Sequence, residues 1–259
     1  MHDVQGVLSP RHAPSFMMLA LSAGAVNAGG LMDCRRFVTH VTGTVTRIGL
    51  DVGKWTLMGE YALVLAAFIF GAMTSVLPLQ ARTARGLRPA PAVGLAAVSL
   101  VLVGIAFAGH GGTFGQLGDH REPPEDFGFM ALLAFAMGLM NATVATTTAL
   151  AVRTSHMTGP ASDFGVHLAL AFLSQGETRR QALRVATFRG GTILAFATGA
   201  GVMVPIVHRT GHLAFLAPSL VVFVAMTRSF LLTPPAAQPG VAAAPPGDLS
   251  TQGATATRR

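Results

Sequence analysis

Residues 24–27 read GAVN and 40–49 read HVTGTVTRIG; residues 138–141 read GLMN and 156–165 read HMTGPASDFG. These are two copies of one pattern, 114 residues apart in the first block and 116 in the second, so one short indel lies between the blocks. A third block keeps the same order, with Phe68, Gly71, Ala72 and Pro78 set against Phe196, Gly199, Ala200 and Pro205. Repeats at a fixed spacing announce an architecture before any local reading does.

Outward from these blocks the chain reads as membrane protein. It has 259 residues, of which 51% are hydrophobic and only 11% charged, and its mean hydropathy is +0.54. Soluble domains carry about 25% charged residues. A bilayer core about 30 Å thick needs about 20 apolar residues per helix, and six charge-poor runs approach that length. They cover Ser15 to Gly30 or Asp33, Tyr61 to Leu79, Ala90 to Ala108, Phe129 to about Val152, about Thr192 to Val207, and Leu213 to about Leu232. The fifth is short and Gly-rich, and the sixth holds Arg228 near its end, where a long side chain can snorkel to the headgroups. The 30 glycines allow the close backbone approach that packs helices in lipid. Arg11 ahead of an apolar run, with AVNA at 25–28, loosely imitates a secretory signal. The match of this run to the second copy argues that it is kept as part of the fold.

Three spans per copy is an odd number, so the second copy must enter the membrane from the side opposite to the first. The expected fold class is therefore all-α: six transmembrane helices as two inverted three-helix repeats, with extra short helices after spans 1 and 4. The expected organisation is an N-terminal tail at 1–14, a first repeat at 15–110, an acidic loop at 111–127, a second repeat at 128–232 and a disordered tail at 233–259, rich in Pro, Ala, Gly and Thr. Placing the amino terminus in the cytoplasm puts 12 of the 18 cations inside and six outside, together with the acids of the 119–126 loop. The positive-inside rule then sets both termini in the cytoplasm.

Inverted repeats of this kind build many secondary transporters, with a site near the midplane between the copies. Asn27 and Asn141 lie within apolar spans, where an unsatisfied amide costs several kcal/mol, so each must bond another helix, water or a solute. Near a pseudo-twofold axis they could also meet each other. The motif after each Asn looks like a helix break followed by a start. Thr42 or Thr158 would cap the new helix, Gly43 or Gly159 would permit a sharp entry, and Pro160 suits a first turn. Such an amino terminus attracts an anion or carboxylate. Two placements are open for these segments, at about 44 to 58 and 160 to 176: an interfacial helix, or a re-entrant one deeper in the membrane. Arg47 and Asp163 occupy the same motif position with opposite charge. They either pair across the centre or face headgroups on opposite sides. His40 and His156 lack clustered Cys or carboxylate ligands, a weak metal signal, so capping or interfacial roles are expected.

Several classes drop out. The cations do not line one soluble face, which argues against nucleic acid, and the single Cys34 excludes an intramolecular disulfide. No phosphate-binding loop, Ser-His-Asp set, metalloprotease motif or dinucleotide fingerprint occurs, so no enzyme activity, cofactor or metal is expected.

The paired blocks, AGAVNAGGL with HVTGTVTRIGL and LLAFAMGLMNATV with AVRTSHMTGPASDFGV, resemble the YoaK-like family of bacterial membrane proteins, a domain of unknown function, over about Phe16 to Leu232. The resemblance implies a six-helix inner-membrane protein and supplies no activity and no catalytic residue. It also marks departures. Asp is common in that family where Asn27 stands, Asn where Thr44 stands and Gln where Met140 stands, which puts a proton-coupled role for position 27 in doubt. The expected function is movement of a small solute or ion along a path lined by Asn27, Asn141, Thr42, Gly43, Thr158 and Gly159, with Arg47, Asp163, His40 and His156 gating or pairing. The rival is a non-transporting scaffold or accessory subunit. The lipid bilayer is the expected partner in either case, and a second copy or another membrane protein fits both.

Overall fold

A computed structural model describes residues 8–9, 11–87, 90–115, 124–148, 150 and 152–231. The expected C-terminal tail, most of the N-terminal one and residues 116–123 of the acidic loop lie outside these residues. Every regular element among the described residues is helical. In chain order they are α1 (Ala13–Cys34), α2 (Val41–Leu50), α3 (Trp55–Ala84), α4 (Pro91–His110), α5 (Pro124–Thr147), α6 (Thr158–Leu173), α7 (Gly176–Thr210) and α8 (Leu216–Met226). A 3-10 turn at Gly211–Phe215 leads into α8, and a π turn at Thr227–Leu231 follows it.

Five helical stretches are long and apolar enough to cross a membrane: Ala13–Cys34, Trp55–Ala84, Pro91–His110, Phe127–Thr147 and the run Gly176–Ser229. The last holds 54 residues, far more than one crossing requires. It is broken at Gly211, whose φ of +57° suits glycine.

Helix limits depart from the charge-free runs in instructive ways. α3 starts six residues before Tyr61 and α7 sixteen before Thr192. Charge marks where lipid ends, but Glu, Arg and Gln are good helix formers, so the helix continues beyond it. On α7 the early turns bury Ala182, Ala186 and Phe188, and α7 packs against α6. The fourth span stops at Thr147, short of the expected Val152. Thr146, Thr147 and Thr148 send their hydroxyls back to the carbonyls of Ala142, Thr143 and Val144, and Leu150 sits at φ +66°, so the chain leaves the helix there. The first short helix also ends earlier than the expected residue 58. Gly53 at φ +96° turns the chain, and Lys54 Nζ binds Asp51 Oδ1 at 2.9 Å across that turn, which holds the Lys54 ammonium above its ordinary pKa.

α1 and α5 form the centre: two thirds (67%) of the apolar window of each is buried, against 22% for α3. One continuous buried cluster joins Phe16 and Val26 of α1, Leu95 and Leu102 of α4, Leu133, Met137 and Met140 of α5, Met203 of α7, and Phe215 and Val222. Leu63, Ile69, Phe70, Met73 and Leu77 of α3 point outward, as lipid-facing residues do in a bundle whose surroundings are apolar.

Candidate functional site

The closest helix contacts fall on the repeated glycines. A Cβ on Gly24 of α1 would collide with the Phe196 carbonyl of α7, and one on Gly138 of α5 would collide with the Phe68 carbonyl of α3. Gly71 of α3 meets the Phe135 carbonyl of α5, and Gly199 of α7 meets the Leu21 carbonyl of α1. Residues matched in sequence therefore make matched contacts. α4 and α8 touch along a small-residue seam, where the Ser99 hydroxyl donates to the Ser219 carbonyl at 2.7 Å and the Ser219 hydroxyl donates to the Ser99 carbonyl at 3.0 Å.

Each repeated asparagine serves its own following loop. Asn27 Oδ1 accepts the Thr39 N–H at 3.2 Å and the Thr39 hydroxyl at 3.0 Å. Asn141 Oδ1 accepts the Ser155 N–H at 3.1 Å and the Thr154 hydroxyl at 3.0 Å, while its Nδ2 donates to Ser155 Oγ. Thr39 and Ser155 are the same motif position, immediately before His40 and His156. The amide thus clamps the start of the motif to the helix that precedes it. Asn141, Thr154 and Ser155 are all buried, and Asn27 is half-buried. Where another helix, water or a solute was open as the partner, each amide instead bonds the loop that follows its own helix.

Neither threonine caps a helix. α2 begins at Val41 after His40, and α6 begins at Thr158 after Met157, in both cases without a side-chain cap. Thr42 falls inside α2, where its carbonyl accepts the Thr46 hydroxyl at 2.9 Å, and Thr158 is the exposed first residue of α6. At Gly43 a Cβ would meet the exposed His40 ring, which would have to swing aside. Gly159 faces open space. His40 is exposed, with its ring edge-on to Phe37 at 6.1 Å.

The second motif lines a cleft of about 310 Å³ formed by Leu150, Arg153, His156, Gly159, Pro160, Asp163 and Arg189. Asp163 on α6 pairs with Arg189 on α7, Oδ2 to Nη2 at 3.0 Å. Of the two arrangements open for Arg47 and Asp163, pairing with each other is not the one seen, and Arg47 is exposed on α2. A hairpin brings Arg189 to Asp163 because α6 and α7 run side by side after a two-residue link. His156 and Arg153 are exposed at the cleft's rim. With one Arg already neutralised by Asp163, Arg153 and the first N–H groups of α6 leave the cleft electropositive, so it suits a small anionic group. Arg153 and Arg189 carried no signal in sequence beyond their side of the membrane. A repeated loop position flanked by Arg would have drawn attention to the first of them.

A family profile described as Protein of unknown function (DUF1275) matches residues 15–227. The chain belongs to this family. DUF1275 takes in the YoaK-like proteins, so the resemblance of the repeat blocks and the profile agree, and the matched span runs from the first turn of α1 past the end of α8. No curated protein and no solved structure matches the chain. The family description carries no activity; the membrane-type helices are those of the chain itself.

Proposed function

We propose that the protein is a bacterial inner-membrane transporter of a small anionic solute, built from two inverted three-helix repeats with six crossings and both termini in the cytoplasm. The observation that carries the reading is the reciprocity of contacts: α1 on α7 repeats α5 on α3, glycine for glycine, and Ser99 exchanges bonds with Ser219. In this reading the break at Gly211 divides the run Gly176–Ser229 into the fifth and sixth crossings. α1 and α5 are the helices on which the repeats meet, and the Arg153, His156 and Asp163–Arg189 cleft receives the solute on the cytoplasmic side. Asn27 and Asn141 hold the motifs in place.

The test is uptake into proteoliposomes from a panel of small carboxylates and inorganic anions. Wild-type protein should accumulate at least one of them, and Arg153→Ala with Arg189→Gln should lose that uptake while remaining folded. Uptake unchanged in the double variant would remove the cleft from the path. One observation favours the rival reading, a non-transporting scaffold: both Asn amides are spent on loop contacts and the helices between them are close-packed. The scaffold predicts no uptake of any solute and stable copurification with another membrane protein.

A further inference from the structure

A second pair of ionisable side chains lies far from the cleft in sequence and is more deeply buried than any group in it. Asp33, in the last turn of α1, and His212, in the 3-10 turn after α7, are each 4% exposed at the side chain, with Oδ2 and Nε2 3.9 Å apart. His212 Nε2 is buried and has no hydrogen-bond partner. The ring is caged by aromatic groups, with Phe129 edge-on at 5.4 Å and Phe114 at 6.1 Å. Gly109 of α4 lies so close beneath it that a Cβ there would strike the imidazole. A buried imidazole nitrogen that faces a carboxylate without a hydrogen bond is costly unless something joins them.

We propose that Asp33 and His212 form a proton-binding site, in which one proton is held between the carboxylate Oδ2 and the imidazole Nε2 across the contact between the first and second halves of the chain. The step is a proton transfer alone. A hydronium ion gives up a proton to the unprotonated nitrogen of the neutral ring, an N–H bond forms, water leaves, and the resulting imidazolium presents an Nε2–H to the carboxylate. The present 3.9 Å is longer than a charge-assisted hydrogen bond, so closure of about 1 Å completes it. The surroundings suit a proton better than a metal: no group of three ligating side chains is assembled among the described residues, and zinc takes at least three. Among the described residues, few other ionisable groups stand on the elements packed here. The Cys34 thiol donates to the same Oδ2 from 3.9 Å. The Arg36 guanidinium stacks over Tyr61 of α3 at 4.8 Å and over Phe127 of α5 at 4.9 Å. Arg35, His110 at the end of α4, and His208 and Arg209 at the end of α7 are exposed. Because Asp33 belongs to one half and His212 to the other, loading the proton draws the two halves together at this end.

The experiment is NMR of ring nitrogens in the full chain labelled with ¹⁵N-histidine, followed between about pH 8 and about pH 5. Of the nine His rings, the one missing in His212→Asn should gain a second ring proton as pH falls. In Asp33→Asn that ring should lose this step and stay singly protonated, and Asp33→Glu should restore it. A ring that gains its proton equally well in Asp33→Asn would overturn the proposal. Without any substitution, dipolar coupling between the ring nitrogen and the Asp33 carboxylate carbon should strengthen on protonation, and a coupling that does not change would equally overturn it. The measurement contains no solute, so its result is separate from that of the uptake assay.

Discussion

Asn141 shows how much a single side chain does here. Its amide satisfies one loop N–H and two hydroxyls, all buried. Asn141→Ala leaves them unpaired, and each buried unsatisfied group costs about 1–3 kcal/mol. Thermal unfolding in detergent should therefore show a loss of that size or more, with a smaller loss for Asn27→Ala, whose site is half-buried. The sequence made both asparagines legible as polar groups that need partners. It did not reveal the partners, because an N–H twelve or fourteen residues away comes near only when the loop folds back. His12 offers a pH test at the same scale. Its ring contacts Ser229 Oγ at 3.2 Å, and burial, aided by the Arg11 charge, lowers its pKa from 6.5. The unfolded chain then takes up the proton at higher pH than the folded one. Stability is full above 6.5 and falls as pH drops below it toward the folded value. His12→Gln should flatten that part of the dependence of melting temperature on pH, and an unchanged slope would show that another group sets it.

At the scale of elements, glycine position rather than glycine number decides packing. Gly24 and Gly138 sit against backbone carbonyls, which cannot yield as a flexible side chain can. Gly138→Ala should cost about 1–3 kcal/mol through overpacking, read as a lowered denaturation midpoint. Gly104 and Gly201, in α4 and α7, face open space. Gly104→Ala and Gly201→Ala should leave stability unchanged or raise it by up to about 1 kcal/mol through helix propensity. Equal effects at all three positions would refute the close-approach account. Helix existence was readable from apolar runs at every span, whereas helix ends were not. The overhang of α7 before Thr192 is amphipathic and charged, so a search for charge-free residues stops at the lipid boundary. The Asp163–Arg189 pair was hidden for the same reason, since it depends on α7 reaching back along α6.

Across the whole molecule, the repeated blocks fall on the two helices that hold the centre. α1 and α5 carry the two asparagines and are the most buried of the apolar helices. What repetition could not foretell was that the copies would diverge in chemistry. The second motif opens a cleft with Arg153 and Arg189, while the corresponding region of the first presents Arg47 to the surface. The reading of two inverted halves stands or falls on sidedness, and Thr46 and Ser162 supply the matched probes because both are exposed and occupy one motif position. The decisive measurement is labelling of Thr46→Cys and Ser162→Cys, each with Cys34→Ser, by a membrane-impermeant thiol reagent in intact cells and after permeabilisation. Thr46→Cys should react in intact cells and Ser162→Cys only once the membrane is opened. Labelling of both from the same side would contradict the inverted arrangement.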